Sequence, residues 1–246
     1  MLLVLMYHRI YDERVPERAQ RFRNFLRNVA EHYPVVLPGE DLTSGQLSIC
    51  LTFDDAYADF YYCIYPMLRE TGIRALLAVS PKFIIGSAAL DGSVRLRVPY
   101  DDAMKNDVYS KKAPFCTWEE LSEMISSGLV QVASHSFGHS NLTGRGVDLT
   151  AEIVGSKAIL EEKLPQKIST FVYPYGSVNR RVHSLVRQHY RYSMRIGSAL
   201  NRDWHNFHGM IYRVDGENLV APAYPLKYAT LAKYFLKYLS NTVRRK

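Results

Sequence analysis

Two small groups of ligand-type side chains stand at the ends of apolar runs. Asp54 and Asp55 close the run 47–53, and His135-Ser136-Phe137-Gly138-His139 follows the run 129–133. Two imidazoles four residues apart fall on one side of a helical turn and can chelate one metal ion, with Ser136 placed to hydrogen-bond the loop that holds them. Adjacent carboxylates point to opposite faces of a continuing strand, but a chain that turns at the strand end can present both to one cavity with different jobs. Asp55, His135 and His139 then combine as one carboxylate and two imidazoles, leaving positions open for water and a substrate oxygen. Nitrogen and oxygen donors without thiolate suit zinc first, and cobalt, nickel or iron also fit. The ordinary readings are a helix N-cap followed by an acidic N1 residue for the Asp pair, and a chance surface pair for the histidines; Gly138 and the strand-end position argue against the second.

A third group, Phe171-Val172-Tyr173-Pro174-Tyr175-Gly176, ends another apolar run in a turn. Pro174 and Gly176 fix an unusual backbone path, and the amide of Tyr175 could serve as an oxyanion donor. Taken alone, this is an ordinary Pro/Gly turn.

The elements that must carry these groups alternate. Strands are predicted at 2–6, 47–53, 75–79, 129–133 and 168–172, and helices at 18–32, 57–71, 117–127, 150–163 and 182–190. Thr117 and Glu120 form a capping box, Gly72 and Gly128 follow their helices, and Pro165 comes just after another. Such alternation implies a parallel sheet with right-handed crossovers, open or closed into a barrel, whose ligand chemistry gathers at the C-terminal strand ends. Residues 86–114 lack clean periodicity and read as an insertion bordering the site or a flap.

With 47% hydrophobic and 22% charged residues, 14 Gly and 11 Pro in 246, the chain is globular rather than disordered or repetitive. No apolar run is long enough to cross a bilayer, and the run 2–7 lacks the flanks of a secretory signal, so it reads as a first buried strand. Cys50, Cys63 and Cys116 are odd in number and widely spaced, which indicates buried small hydrophobes in a reducing compartment. The net charge is +7, but six basic residues follow Glu217, the last acidic one, so residues 1–217 carry only +1. A nucleic-acid binder would spread its charge over a face of the fold, and no partner of that class is expected.

Thr52-Phe53-Asp54-Asp55, the His135 to His139 group and Tyr173-Pro174-Tyr175-Gly176, in that order, resemble the polysaccharide deacetylase family, also called carbohydrate esterase family four or the nodulation-deacetylase homology domain. The resemblance spans about residues 1–215. It implies an α/β fold, a single-domain distorted (β/α) barrel of seven strands over residues 1–225. It also implies Asp55, His135 and His139 as metal ligands and Asp54 as catalytic base. Val172 stands where many members carry the Arg that orients the base; Arg213 is a candidate substitute, although a surface salt bridge is the ordinary role for such a residue. Leu5-Met6-Tyr7-His8 and the Tyr-Pro-Tyr-Gly turn look like the permuted branch of poly-N-acetylglucosamine deacetylases, which makes His8 the general acid. Members outside that branch place the acid histidine late, where this chain has Trp204, His205 and His208.

The implied reaction is metal-assisted removal of an N-acetyl group from an amino sugar in a polysaccharide, an oligosaccharide or a lipid-linked precursor. Tyr7, Tyr57, Tyr173 and Pro174 flank the motifs as candidate sugar contacts, Tyr175 adding its amide. A carbohydrate-binding pseudoenzyme and a cyclic-imide or amide hydrolase are the alternatives. Residues 226–246 form a basic amphipathic helix. It either closes the outer layer or lies against an anionic membrane, in which case a cytoplasmic protein would sit on the inner face of the cell membrane.

Overall fold

In a computed structural model of the chain, residues 1–206, 209–217 and 226–243 are described. Seven parallel strands close a barrel in sequence order: β1 (Leu2–Tyr7), β2 (Ser48–Phe53), β3 (Ala75–Val79), β4 (Val130–Ser134), β5 (Thr170–Val172), β6 (Tyr192–Ile196) and β7 (Met210–Asp215), which returns to pair with β1. Five of these are the runs expected from the sequence. The other two escape that pattern because Arg195 breaks one apolar run and Arg213 interrupts the other.

Side-chain alternation divides the apolar residues into two cores. Leu3, Leu5, Tyr7, Leu51 and Phe53 point outward onto the helical layer, where α1 (Glu17–His32) contributes Phe22, Phe25, Leu26 and Val29. Each such side chain, fully buried, contributes about 1.5–3 kcal/mol. Leu2, Val4, Cys50, Ala133, Val172 and Ile211 point inward and fill the barrel. Further up these columns, beyond Met6 on β1 and Thr52 on β2, stand His8 and Asp54, while His135 above β4 and Arg213 on β7 come next after Ala133 and Ile211, so the polar site caps the inner plug.

The outer helices are α1, α2 (Tyr65–Thr71), α5 (Trp118–Ser126), α6 (Ser156–Lys163) and α7 (Arg180–His189), with α3 (Gly92–Leu96) and α4 (Asn106–Lys112) within residues 86–114. Wider π-type turns, Phe60–Ile64 and Thr150–Gly155, lead into α2 and α6 where single longer helices were expected. Thr117 and Glu120 make the expected capping box. Residues 86–114 are anchored: the buried Arg95 guanidinium donates to Glu120 at 2.9 Å and to the carbonyls of Ala113 and Phe115 at 2.8 and 2.7 Å. Arg9 adds bonds to the carbonyls of Val98, at 2.7 Å, and Leu96.

All three cysteines are free, and burial pushes the thiols of Cys50 and Cys116 far up. A last helix, α8 (Tyr228–Val243), packs Leu231, Tyr234 and Tyr238 onto the fold. Among the described residues, no helix is long and apolar enough to cross a membrane. His208, the boundary at residue 225 and the basic end 244–246 lie outside the described residues.

Candidate active site

Four strand ends converge on one cluster. After β2 the chain turns sharply: Asp55 and Ala56 take φ of 69° and 54°, the left-handed region, which keeps Asp55 facing the same cavity as Asp54. The His135 to His139 segment is a loop rather than a helical turn, with Ser136 and His139 at φ of 61° and 55°. Ser136 does not hold it, since its buried hydroxyl has no hydrogen-bond partner among the described residues. Glu152 does, accepting from the Gly138 amide at 2.9 Å and the Ser140 hydroxyl at 2.7 Å, while Ser80 donates to the His135 carbonyl at 2.8 Å.

Asp55 Oδ1 lies 3.7 Å from His135 Nε2 and 3.4 Å from His139 Nε2. Donors about 2.0–2.1 Å from one tetrahedral ion are about 3.3 Å apart, so a small inward adjustment of side chains would close the set. His135 Nδ1 faces the Val172 carbonyl at 2.8 Å and His139 Nδ1 the Tyr175 hydroxyl at 3.1 Å, so each imidazole is oriented through Nδ1 and turns Nε2 to the common point. Burial lowers both histidines, to about 3 and about 4, which keeps them neutral as ligation requires. Neither oxygen of the fully buried Asp55 carboxyl has a hydrogen-bond partner among the described residues, and burial with the neighbouring Asp54 raises it to about 7. An orphaned buried carboxyl facing two neutral imidazoles is a donor set that fits a divalent ion.

Asp54 is held differently. Arg213 grips it in a two-pronged pair, Nη1 to Oδ1 at 2.6 Å and Nη2 to Oδ2 at 2.8 Å, with both side chains buried. Burial opposes the charge on Asp54, but the guanidinium outweighs it and holds the carboxyl well below the usual range. Arg213 is therefore an interior partner and not a surface ion pair. It reaches Asp54 because β7 pairs with β1 and β1 with β2, which sets Arg213 level with Val4, two strands from Asp54.

His8 completes the cluster, with Nε2 3.8 Å from Asp54 Oδ2 and Nδ1 3.0 Å from Glu217 Oε1. Glu217 also accepts from the His8 amide at 2.8 Å and from Arg18 at 2.6 Å. Burial disfavours the imidazolium, yet the Glu217 hydrogen bond and the charges of Asp54, Asp55 and Glu217 raise His8 to about 9. The buried carboxylate of Asp59 fixes the loop after His8 by accepting from the Ile10 and Tyr11 amides at 2.7 and 3.1 Å. Gly216 lets Glu217 approach: a Cβ there would stand 2.5 Å from the Tyr7 ring.

Glu217, Glu152 and Asp59 are not marked by any sequence motif; each acts on backbone or ring nitrogens from a distant element. Several expected contacts lie elsewhere. Tyr7 and Tyr173 are fully buried on the outer side of the barrel, Tyr7 stacked on Phe53 at 5.4 Å and Tyr173 bonded to His183 at 2.8 Å, because both occupy outward strand positions. Tyr57, by contrast, is buried beneath Tyr100 at 5.2 Å and near enough to Asp55 that burial and that charge together push its hydroxyl up, and Pro174 is buried in its turn. Trp204 and His205 lie at the opposite end of the barrel. There Asn201 pairs with the first residue of β1, and the Trp204 indole donates to the Glu40 carbonyl at 2.7 Å. A connection between parallel strands must return to the starting end, which carries that stretch away from the site. Tyr175 does border the cluster, at φ 58° with its ring 64% exposed and 4.7 Å from His139.

A family model described as polysaccharide deacetylase matches residues 42–192. The chain is 25% identical over 190 residues to YxkH of Bacillus subtilis, covering 72% of this chain and 58% of that protein, which carries a polysaccharide deacetylase designation. It is 24% identical over 160 residues to poly-beta-1,6-N-acetyl-D-glucosamine N-deacetylase of Escherichia coli, covering 54% of this chain and 22% of the relative. The chain thus spans less than two thirds of the length of the curated relatives it matches. In fold it is similar to the Streptococcus pyogenes deacetylase PplD in complex with acetate, with a TM-score of 0.71 at 20% identity over 95% of this chain and 97% of the other. It is also similar to IcaB from Ammonifex degensii, with a TM-score of 0.66 at 24% identity over 95% and 96%.

Proposed function

This chain belongs to the polysaccharide deacetylase family, and from that premise we propose that it hydrolyses the N-acetyl group of an amino sugar within a glycan. The observation that carries the reading is the Asp54–Arg213 pair set beside His8 and the Asp55, His135, His139 set. A fixed carboxylate, an imidazole raised by its carboxylate neighbours and a metal-type donor set then stand side by side in one cluster. Arg213 supplies from β7 what Val172 does not, a buried guanidinium that orients the Asp54 carboxylate.

When bound, a divalent ion, zinc being the first candidate, supplies Lewis acidity toward the acetamide carbonyl and a water of lowered pKa. Asp54, kept ionised and oriented by Arg213, takes the proton of the attacking water. The backbone amide of Tyr175 donates to the developing oxyanion. His8, whose imidazolium is favoured by Glu217 and which lies 3.8 Å from Asp54, gives its proton to the leaving nitrogen. Acetate and a free amino sugar result. An N-acetylglucosamine oligomer is the substrate class to test first, since one relative's name specifies that sugar.

Two results are expected. Acetate release from such an oligomer stops when a chelator is added and returns with zinc or cobalt, whereas His135→Ala holds no ion and is not rescued; release unaffected by the chelator overturns the metal role. The falling alkaline limb of kcat/KM belongs to His8 and lies above the 6.5 of an ordinary histidine, because the group must be charged to act and its charge is lost as pH rises through the raised value. Glu217→Gln keeps an acceptor oxygen at Nδ1 but removes the negative charge, so the limb moves to lower pH. The bound cation acts on His8 in the opposite sense in both enzymes, so the comparison between them carries the test. An unmoved limb removes Glu217 from this role.

A further inference from the structure

α8 divides into three faces. Leu231, Tyr234 and Tyr238 turn inward onto the fold. Tyr228, Phe235, Leu236 and Leu239 stand in solvent, at 90%, 42%, 65% and 42% exposure. At about 100° per residue these four share one arc of about 100°, and Lys233 and Lys237 stand about 60° and about 100° beyond its edge at Leu236. The inner face already docks the helix, so a contiguous outer apolar stripe is not explained by packing. No acidic residue follows Glu217, and Arg244, Arg245 and Lys246 come next in the sequence.

The stripe is close to the site. A groove of about 510 Å³ separates α8 from the end of β7, with Val214 and Asp215 on one wall and Lys233, Leu236 and Lys237 on the other. Asp215 also lines the cavity of about 810 Å³ that contains His8 and Glu217. The helix therefore stands beside the barrel mouth.

We propose that the outer face of α8 seats the protein on an anionic lipid bilayer and turns the mouth toward a glycan carried at that surface. The inference rests on the deacetylase reading for its glycan and on α8 alone for its membrane. Phe235, Leu236 and Leu239 would enter the boundary between headgroups and acyl chains, Tyr228 would sit at headgroup level, and the lysines beside the stripe would add long-range attraction to the anionic surface. A second copy fits less well, because a twofold contact through this face would bring its lysines together with no carboxylate on α8 to meet them.

Flotation of the full chain with phosphatidylcholine vesicles, and with vesicles containing phosphatidylglycerol, tests this. The chain should float with the anionic vesicles only and release from them at high salt. Lys233→Gln with Lys237→Gln should weaken partition about 30-fold, the change that about 1 kcal/mol per basic residue gives. Phe235→Ser, Leu236→Ser and Leu239→Ser together should abolish it, while acetate release from a soluble N-acetylglucosamine oligomer stays unchanged. Release from an N-acetylglucosaminyl lipid in the same vesicles should fall in both variants. Equal flotation of all three proteins, or a concentration-dependent dimer that the triple variant loses, overturns the inference. Loss of acetate release from the soluble oligomer in the unaltered chain would instead overturn the deacetylase reading and leave the flotation result standing.

Discussion

Asp54→Asn should retain its metal and lose turnover by on the order of 10²-fold or more. The substitution keeps the shape of the side chain and removes the charge that accepts the water's proton, while Asp55, His135 and His139, which form the donor set, are untouched. Metal content measured beside kcat separates this from a ligand substitution, in which both fall together. Because Arg213 would then face an amide, stability should fall as well, which a thermal scan of the same sample reads. An Asp54→Asn protein that keeps full metal-dependent activity would remove Asp54 as the base, and with it the reason for a buried guanidinium at that point.

The parts of this site legible in the sequence are those that chemistry places next to each other along the chain. Asp54 with Asp55, and His135 with His139, announce themselves because one turn carries two functional groups. The family model covers these and stops at residue 192. What it omits is brought in by barrel closure: β1 carries His8, β7 carries Arg213, and Glu217 follows β7, and all three reach the site because β1 pairs with both β2 and β7. No local pattern reports a contact across 159 residues such as that of Arg213 with Asp54. The same Arg hid its strand, since a charge in the middle of an apolar run reads as exposure when it points into a barrel toward a carboxylate. Tyrosines near motifs misled for the converse reason, as adjacent positions on a strand face opposite cores.

Arg213→Met should destabilise the protein by about 3–5 kcal/mol at neutral pH, because it strands the Asp54 carboxylate in the barrel with its strongest partner gone. Were this pair at the surface, the loss would be about 0–1 kcal/mol, so the size of the effect decides between the two locations. Its pH dependence has a definite sign. In the native chain Asp54 titrates below its unfolded value, so it adds stability above the ordinary carboxylate range and forfeits it as pH falls through the depressed value. Without Arg213, burial is left to dominate and drives the carboxyl upward, so the variant improves relative to the native chain as pH falls and protonation removes the stranded charge. Urea unfolding at pH 4.5 and pH 7 should therefore give a smaller difference between the two proteins at the lower value. Asp54→Leu combined with Arg213→Met should recover much of the stability, since the inner neighbours Val4, Cys50 and Val172 are apolar, and recover none of the activity. A difference in unfolding free energy that does not change with pH would mean that the pair carries no net charge energy, and Asp54 would then need another source for its ionised state.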